Sequence, residues 1–188
     1  MPTTTPGESF VLASGCFWCA EAVYRVLEGI IELESGYTGG TTENPRDYQI
    51  ATGVTGHAEA VKVTFDPQVL PQRVVLEVFF AIHDPTQLNR QGNDVGTHVR
   101  SAMFWQNQHQ RELFASAIED AKSTWGPGVV TELAPLQKWW PAEEHHQNFF
   151  AKNPENAYCQ IAAVPKESHV RTSFADYTIA TVPGAGGA

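Results

Sequence analysis

Apolar and polar residues recur along the chain with two different periods, which together predict a mixture of strands and helices. Short apolar or alternating stretches predict strands at 9–14, 30–40 (ending in a glycine turn), 57–65, 101–105 and 128–133. Apolar residues three or four positions apart predict helices at 17–27, 71–82, 107–124 and 141–153. Because the two kinds of element alternate irregularly, we expect an α+β fold with a small sheet covered by helices.

The ends of the chain differ in composition from the part between them. "PTTTPGE" near the start and "TVPGAGGA" at the finish are rich in small and turn-forming residues. We therefore expect a disordered N-terminus over 1–8, one folded domain over 9–166 and a partly flexible C-terminal tail over 167–188. Two long polar connections, 36–56 and 84–99, interrupt the domain, and loops of this length are often functional.

Composition excludes several classes of partner. The chain has 188 residues, 42% of them hydrophobic, which suits one domain with its own core. A net charge of −9 and the absence of any basic run argue against binding to nucleic acid or to anionic membranes. No stretch approaches the roughly 20 apolar residues of a membrane span, and "MPTTTPGESF" lacks the features of a secretory signal. We expect a cytoplasmic protein.

The chain contains three cysteines, and two of them lie together in "GCFWC" at 15–19. An odd, small number of cysteines favours thiols kept for chemistry in a reducing compartment over a disulfide framework. Cys16 comes where a strand ends and a helix begins, and unpaired backbone N–H groups there lower the pKa of a thiol. Cys19 is close enough along the chain to form a disulfide with it. Two alternatives remain open at this point: buried structural thiols, or a zinc site that also uses Cys159.

Glu59 is the second candidate for chemistry. Side chains alternate along a strand, so Glu59 shares a face with Val61, Val63 and Phe65. A carboxyl group on an apolar face loses hydration, which raises its pKa and suits it to act as a general acid. The alternative is that Glu59 pairs with an arginine or caps a loop.

Two polar segments complete the set of candidates. The loop 83–101 carries Asp94 and His98, and it either wraps a site or is a solvated connection. "EEHHQ" at 143–147 contains adjacent histidines, but neighbouring side chains on a helix point about 100° apart, so we expect no metal there.

Several motifs occur in the order and spacing of one enzyme family: "GCFWC", "GYTGG", "TGHAEAV", "HDPTQLNRQGNDVGT", "RSAMF", "PAEEHHQNFF" and "KNPENAYC". On these motifs the chain resembles the A-type peptide methionine sulfoxide reductases from about Phe10 to Lys166. The resemblance makes 9–166 the catalytic domain. It implies a single two-layer α/β sandwich with a small mixed sheet and a ferredoxin-like core.

The resemblance also implies roles for particular positions. Cys16 is the nucleophile that attacks the sulfoxide sulfur, and Phe17 and Trp18 form the pocket for the substrate's methyl group. Glu59 protonates the sulfoxide oxygen, and Asp94 orients water or polar groups.

The same resemblance implies a route by which the oxidised enzyme is regenerated. Cys16 is left as a sulfenic acid, which a second thiol converts to a disulfide that thioredoxin, or dithiothreitol in vitro, reduces. Cys159, on a segment that we expect to be a mobile tail, is the favoured resolving thiol. Cys19 is the less favoured alternative, because two cysteines one turn apart on a helix do not easily reach disulfide geometry. No metal or organic cofactor is implied, and we expect a monomer.

Three positions depart from the family's pattern. The family usually has tyrosine where this chain has Asp47, Val99 and Phe149. Two of those tyrosines bind the sulfoxide oxygen in the family, and we expect Tyr48 or His98 to substitute for them.

The predicted function is thiol-dependent reduction of methionine-S-sulfoxide, free or in proteins, as repair of oxidative damage. The departures motivate one alternative, a non-catalytic homologue that binds methionyl groups or senses oxidants through its cysteines. A general dithiol oxidoreductase is disfavoured, because no proline precedes Cys19.

Overall fold

Six strands form one mixed sheet at the centre of the molecule. The structure is a computed structural model that describes residues 7–180. In chain order the strands are β1 (Glu8–Ser14), β2 (Ile30–Thr38), β3 (Ala58–Phe65), β4 (Arg90–Gln91), β5 (Asp94–Val95), β6 (Ser101–Trp105), β7 (Glu132–Pro135) and β8 (Trp140–Pro141). The sheet has the order β7-β6-β1-β3-β2-β8, and β4 and β5 form a separate hairpin. Only the β6–β7 pair of this sheet is parallel, so the predicted mixed sheet is confirmed.

Helices pack mainly on one face of this sheet. They are α1 (Phe17–Tyr24), α2 (Asp47–Ile50), α3 (Gln72–Ala81), α4 (Gln108–Trp125), α5 (Phe149–Lys152) and α6 (Ala157–Ser173). Short 3₁₀ turns occur at Thr97–Val99, Glu144–His146 and Ala175–Tyr177. Within the described residues no helix combines the length and the apolar character that a membrane crossing requires.

The alternation of β1 shows how the sheet separates two apolar layers. Phe10 and Leu12 belong to the main core beneath the helices, whereas Val11 and Ala13 belong to a smaller cluster on the opposite face. In the main core the Phe10 ring lies edge-on to the rings of Phe65 and Phe114, with centroids 5.0 Å apart in both pairs. The predicted two-layer sandwich is therefore present, with a thin cover on its second face.

Most predicted elements are present, but the C-terminal third differs from the prediction. The strand expected at 128–133 begins instead at Glu132. The helix expected at 141–153 is divided into β8, a 3₁₀ turn and α5. Asn148 lies between the last two with a left-handed φ of 53°, which a continuous helix does not permit.

The helix α6 was not predicted, and it changes the picture of the C-terminus. It continues through Pro165, and the predicted domain boundary at residue 166 falls inside it. Beyond it the chain returns to the domain, where the Ile179 N–H donates to the Val26 carbonyl at 2.9 Å. The expectation that Cys159 lies on a mobile tail is therefore wrong, because it lies on α6, which packs against α1. The disorder predicted over 1–8 is wrong at Glu8, which belongs to β1 and pairs with Phe65, whereas 1–6 and 181–188 lie outside the described residues.

Candidate active site

Most of the residues predicted to carry chemistry line one cavity of about 380 Å³. The start of α1, the strand β3, the segment 94–99 and the start of α6 all reach it. Its lining residues are Cys16, Phe17, Trp18, Tyr37, Asp47, Tyr48, Ile50, Ala51, Glu59, Asp94, His98, Val99, His146 and Tyr158. A larger groove of about 590 Å³ lies between α3 and α4, but neither a cysteine nor a buried carboxyl group lines it.

Cys16 occupies the position just before α1, where its backbone is extended (φ −57°, ψ 124°) and not yet helical. The residue is partly exposed and lines the cavity, which gives a substrate access to it. The expectation of a lowered pKa is wrong for this geometry. A hydrogen bond with Cys19 and burial raise the pKa of Cys16 well above its ordinary value, and they outweigh the backbone N–H of Trp18 and the hydroxyl of Tyr158.

Cys19 is the partner in that hydrogen bond, and its pKa moves the other way. The interaction with Cys16 lowers the pKa of Cys19 despite its burial. Cys159 is also fully buried, and burial raises the pKa of its thiol. The Cys159 N–H donates to the Asn156 side chain at 3.2 Å, which caps α6. Cys19, and not Cys159, belongs to the apolar cluster against which Cys16 packs.

Glu59 lies on β3, where it pairs with Tyr37 of β2. Its carboxylate accepts a hydrogen bond from the Phe17 N–H at 3.2 Å, which joins it to the start of α1. Burial, the charge of Cys16 and the charge of Asp94 raise the pKa of Glu59 well above its ordinary value. A protonated carboxyl group beside a thiol is the arrangement that the alternation of β3 predicts.

Phe17 and Trp18 form an aromatic wall of the cavity, and Trp18 is held on several sides. Its indole stacks on Phe149 with ring centroids 3.6 Å apart and planes 5° from parallel. Its N–H donates to Nδ1 of His146 at 3.1 Å, and the Tyr158 ring meets it edge-on at 6.2 Å. Phe149, at a position where the family usually has tyrosine, therefore packs the face of its ring against Trp18.

His146 links this wall to Asp47. An indole N–H is only a donor, so Nδ1 of His146 must be the acceptor and Nε2 carries the proton. That Nε2 lies 3.2 Å from Oδ2 of Asp47. Burial of Asp47 is outweighed by the N–H of Tyr48 and by His146, and the pKa of this carboxyl is lowered. Asp47, in place of a family tyrosine, therefore fixes the orientation of His146.

The adjacent histidines do not diverge as predicted. They lie on a 3₁₀ turn, their ring centroids are 4.0 Å apart, and Nε2 of His145 also approaches Oδ2 of Asp47, at 3.5 Å. The predicted divergence applies to an α-helix, and the shorter turn brings both rings to one carboxylate.

The polar side of the cavity carries Asp94 and His98. Asp94 accepts a hydrogen bond from the Tyr158 hydroxyl at 2.6 Å, and burial raises the pKa of that tyrosine. Burial lowers the pKa of His98, and its Nδ1 is enclosed without a hydrogen-bond partner among the described residues. Tyr48 stands at the mouth, 70% exposed. Val99 is buried and brings no hydroxyl group to the position of the second missing tyrosine.

Sequence reasoning missed three polar residues of the cavity, Tyr37, His146 and Tyr158, and two apolar ones, Ile50 and Ala51. The Tyr37 hydroxyl donates to Glu143 at 2.9 Å and fixes a second carboxylate near Asp47. Tyr158 had one sequence signal, its place beside Cys159. His146 was considered only as a metal ligand, since its contact with Trp18 spans 128 residues of sequence.

Comparison with known proteins gives one consistent result. The family model described as peptide methionine sulfoxide reductase matches residues 8–178. A protein of Clavibacter michiganensis named peptide methionine sulfoxide reductase MsrA is 54% identical over 170 residues, covering 90% of this chain and 97% of that protein.

Two solved structures are similar in fold and sequence. Reduced Mxr1 from Saccharomyces cerevisiae has a TM-score of 0.77 at 32% identity, covering 80% of this chain and 88% of that one. Methionine sulfoxide reductase A of Corynebacterium diphtheriae has a TM-score of 0.74 at 31% identity, covering 82% and 78%. The yeast protein has also been solved in complex with Trx2, in a form that matches at 24% identity with a TM-score of 0.56 and bears on the fold alone.

Proposed function

Because the chain belongs to the peptide methionine sulfoxide reductase family, we propose that it reduces methionine-S-sulfoxide, free or within proteins, through the thiol of Cys16. One observation carries this proposal. The Cys16 thiol and the buried carboxyl group of Glu59 line the same aromatic-walled cavity. Glu59 accepts a hydrogen bond from the N–H of Phe17, the residue that follows Cys16. A nucleophile and an acid on either side of one small cavity suit an S–O group, which must be attacked at sulfur and protonated at oxygen.

The first step needs no proton from outside these residues. The Cys16 sulfur attacks the sulfoxide sulfur while Glu59 delivers its proton to the oxygen. The substrate's S–O bond breaks and its protonated oxygen passes to the Cys16 sulfur, so methionine leaves with its sulfur reduced by two electrons and Cys16 becomes a sulfenic acid, oxidised by two. The proton that the Cys16 thiol loses during the attack replaces the one that Glu59 gives up, so the step consumes no proton overall.

The aromatic wall selects the substrate. A sulfoxide carries a methyl group on the reacting sulfur, and Phe17 and Trp18 offer an apolar surface next to Cys16. The stack on Phe149 and the hydrogen bond to His146 hold Trp18 in place before the substrate arrives, so that less entropy is lost on binding.

The sulfoxide oxygen faces the polar side of the cavity. Glu59 supplies its proton, and His98 and Tyr48 replace the hydroxyl groups absent at Asp47 and Val99. His98 suits this role because it lines the cavity and burial lowers its pKa, which favours the neutral imidazole. Asp94, held by Tyr158, binds water or a polar group of the substrate backbone.

Resolution of the sulfenic acid begins with Cys19. A rigid helix was expected to keep Cys16 and Cys19 from forming a disulfide, but Cys16 precedes the helix and has extended backbone angles. Cys159 was favoured because it was expected to lie on a mobile tail, but it lies on α6. Cys19 therefore attacks the Cys16 sulfenic sulfur, which forms a disulfide and releases water. Cys159 remains the second resolving thiol, available to exchange with that disulfide after α6 shifts.

Trapping the oxidised protein tests this order. After one turnover without reductant, we expect peptide mapping by mass spectrometry to find a Cys16–Cys19 disulfide. The Cys159→Ser variant is the matched control, and it should form the same disulfide at an unchanged rate. A Cys16–Cys159 bridge as the sole product would contradict the order and restore Cys159 as the first partner.

We propose a thioredoxin as the physiological reductant, with dithiothreitol as its substitute in vitro and no metal or organic cofactor in turnover. A vicinal dithiol reduces a disulfide by two successive exchanges, and the yeast relative has been solved in complex with Trx2. The proposal includes action as a cytoplasmic monomer.

A stereospecific assay tests the function. With dithiothreitol as reductant, the protein should form methionine from methionine-S-sulfoxide at least about 100-fold faster than from the R epimer, since exchanging the methyl group and the oxygen takes the oxygen away from Glu59. Equal rates for the two epimers would refute the assigned geometry. No methionine from either epimer would favour the non-catalytic alternative, a cysteine redox sensor.

A further inference from the structure

Three metal-ligand atoms meet at the mouth of the cavity, on residues that the reduction itself does not use for bond making. Nε2 of His146 and Nε2 of His145 lie 3.2 Å and 3.5 Å from the same oxygen, Oδ2 of Asp47. All three ligand atoms lie within 4.8 Å of one another. We propose that Asp47, His145 and His146 bind Zn²⁺ or a similar transition-metal ion, and that the bound ion inhibits turnover by breaking the hydrogen bond between Trp18 and His146.

The spacing of the donors fits a small tetrahedral ion. With Zn–N and Zn–O bonds of about 2.0–2.1 Å, neighbouring ligands in a tetrahedron lie about 3.3–3.4 Å apart. Both measured distances to Asp47 lie close to this value, so an ion requires little movement of either histidine relative to the carboxylate. Two imidazoles and one carboxylate are also a donor set that suits zinc, nickel or copper.

The carboxylate is already oriented by its surroundings. Oδ1 of Asp47 accepts the Tyr48 N–H at 2.6 Å, which leaves Oδ2 directed at the histidines. The backbone N–H of Asp47 donates to Glu143, whose other oxygen lies 4.0 Å from Nε2 of His146. Glu143 thus adds a second negative charge next to the proposed ion and supports a ligand without occupying its position.

Solvent can reach the site, as a reversible metal site requires. The His145 side chain is 64% exposed and that of Asp47 is 43% exposed. Three protein ligands leave the fourth tetrahedral position for water. His145 forms no contact with the thiols, and its only described polar partner is Asp47, so it has no evident structural duty.

His146 couples this site to the aromatic wall. In the metal-free arrangement its Nδ1 accepts the Trp18 N–H and its Nε2 carries the proton. An ion at Nε2 displaces that proton, and a neutral metal-bound imidazole then carries its proton on Nδ1. Two N–H groups would face each other, and the bond that holds Trp18 would be lost. The wall beside Cys16 therefore loses its one hydrogen bond to Trp18 when the metal binds and keeps only the contacts with Phe149 and Tyr158.

The test compares three proteins that all keep their cysteines: the unsubstituted chain, His145→Ala, and His109→Ala as a control at an exposed histidine on α4. Co²⁺ is the binding probe, because thiolate ligation gives an intense charge-transfer band, whereas imidazole and carboxylate ligation give only weak d–d bands. We expect weak d–d bands in the unsubstituted chain and in His109→Ala, and their loss in His145→Ala. A spectrum that His145→Ala leaves unchanged would overturn the site.

The kinetic arm uses Zn²⁺ and measures methionine formed in one turnover by pre-reduced protein freed of thiol reductant. Without zinc all three proteins should react equally. Inhibition of His145→Ala should require at least about tenfold more Zn²⁺ than inhibition of the other two. Equal inhibition of all three would show that zinc acts at the thiols and would refute the coupling. This arm rests on the proposed reductase function, whereas the Co²⁺ arm does not, so an inactive protein would still reveal the site.

Discussion

Replacing Cys16 with serine is expected to abolish methionine formation, with kcat/KM reduced by at least about 10⁴-fold. A hydroxyl group is a far weaker nucleophile than a thiol, and none of the remaining sulfurs lines the cavity. Cys19 is 2% exposed and Cys159 is fully buried, so neither can reach the substrate in place of Cys16. The measurement is methionine formed from methionine-S-sulfoxide with dithiothreitol as reductant.

A matched substitution at Cys19 separates the nucleophile from the resolving thiol. Cys19→Ser removes a sulfur from the same motif but leaves Cys16 intact, so the first turnover should still yield one methionine per protein. Only later turnovers should slow, because the sulfenic acid loses its nearest partner. Methionine formation by Cys16→Ser at more than a few per cent of the unsubstituted rate would show that the nucleophile lies elsewhere.

Replacing Glu59 with glutamine is expected to lower kcat by about 10²–10⁴-fold. Glutamine keeps the shape and accepts the Phe17 N–H through its carbonyl oxygen, but it has no proton to give to the sulfoxide oxygen. The cost should fall on kcat more than on KM, because the proton is transferred only as the S–O bond breaks.

The pH profile makes this prediction specific. Burial and the nearby charge of Cys16 raise the pKa of Glu59, so the protonated acid persists toward neutral pH. The rate should fall as the pH rises through that raised value, and the falling limb should be absent in Glu59→Gln. Glu32→Gln, at an exposed position on β2, is the control and should keep the full profile. A falling limb that survives in Glu59→Gln would assign the acid to another group.

Local patterns were sufficient to predict the centre of the site. The strand-to-helix junction located Cys16 before α1, and the two-residue alternation of β3 placed Glu59 on its apolar face. These features depend on a few consecutive residues and on backbone geometry that hardly varies. The core strands were predicted for the same reason, since each is a short apolar run with clear ends.

The features that the sequence did not reveal depend on contacts between distant segments. The helix α6 has no clear apolar stripe and contains Pro165, both of which argue against a helix, yet its packing against α1 stabilises it. His146 and Tyr158 enter the cavity from 128 and 64 residues away from their partners Trp18 and Asp94. The raised pKa of Cys16 depends on the neighbouring Cys19 and, through burial, on the packing of the folded chain, and both outweigh the helix start.

The central claim is that Cys16 takes the oxygen from methionine sulfoxide and passes the oxidation to a second thiol. Counting both products of one turnover tests it most directly. Fully reduced protein, with three free thiols, is mixed with one equivalent of methionine-S-sulfoxide per chain in the absence of any reductant. We predict one methionine per protein chain and one remaining free thiol. Formation of no methionine, or of methionine with all three thiols still free, would contradict the claim.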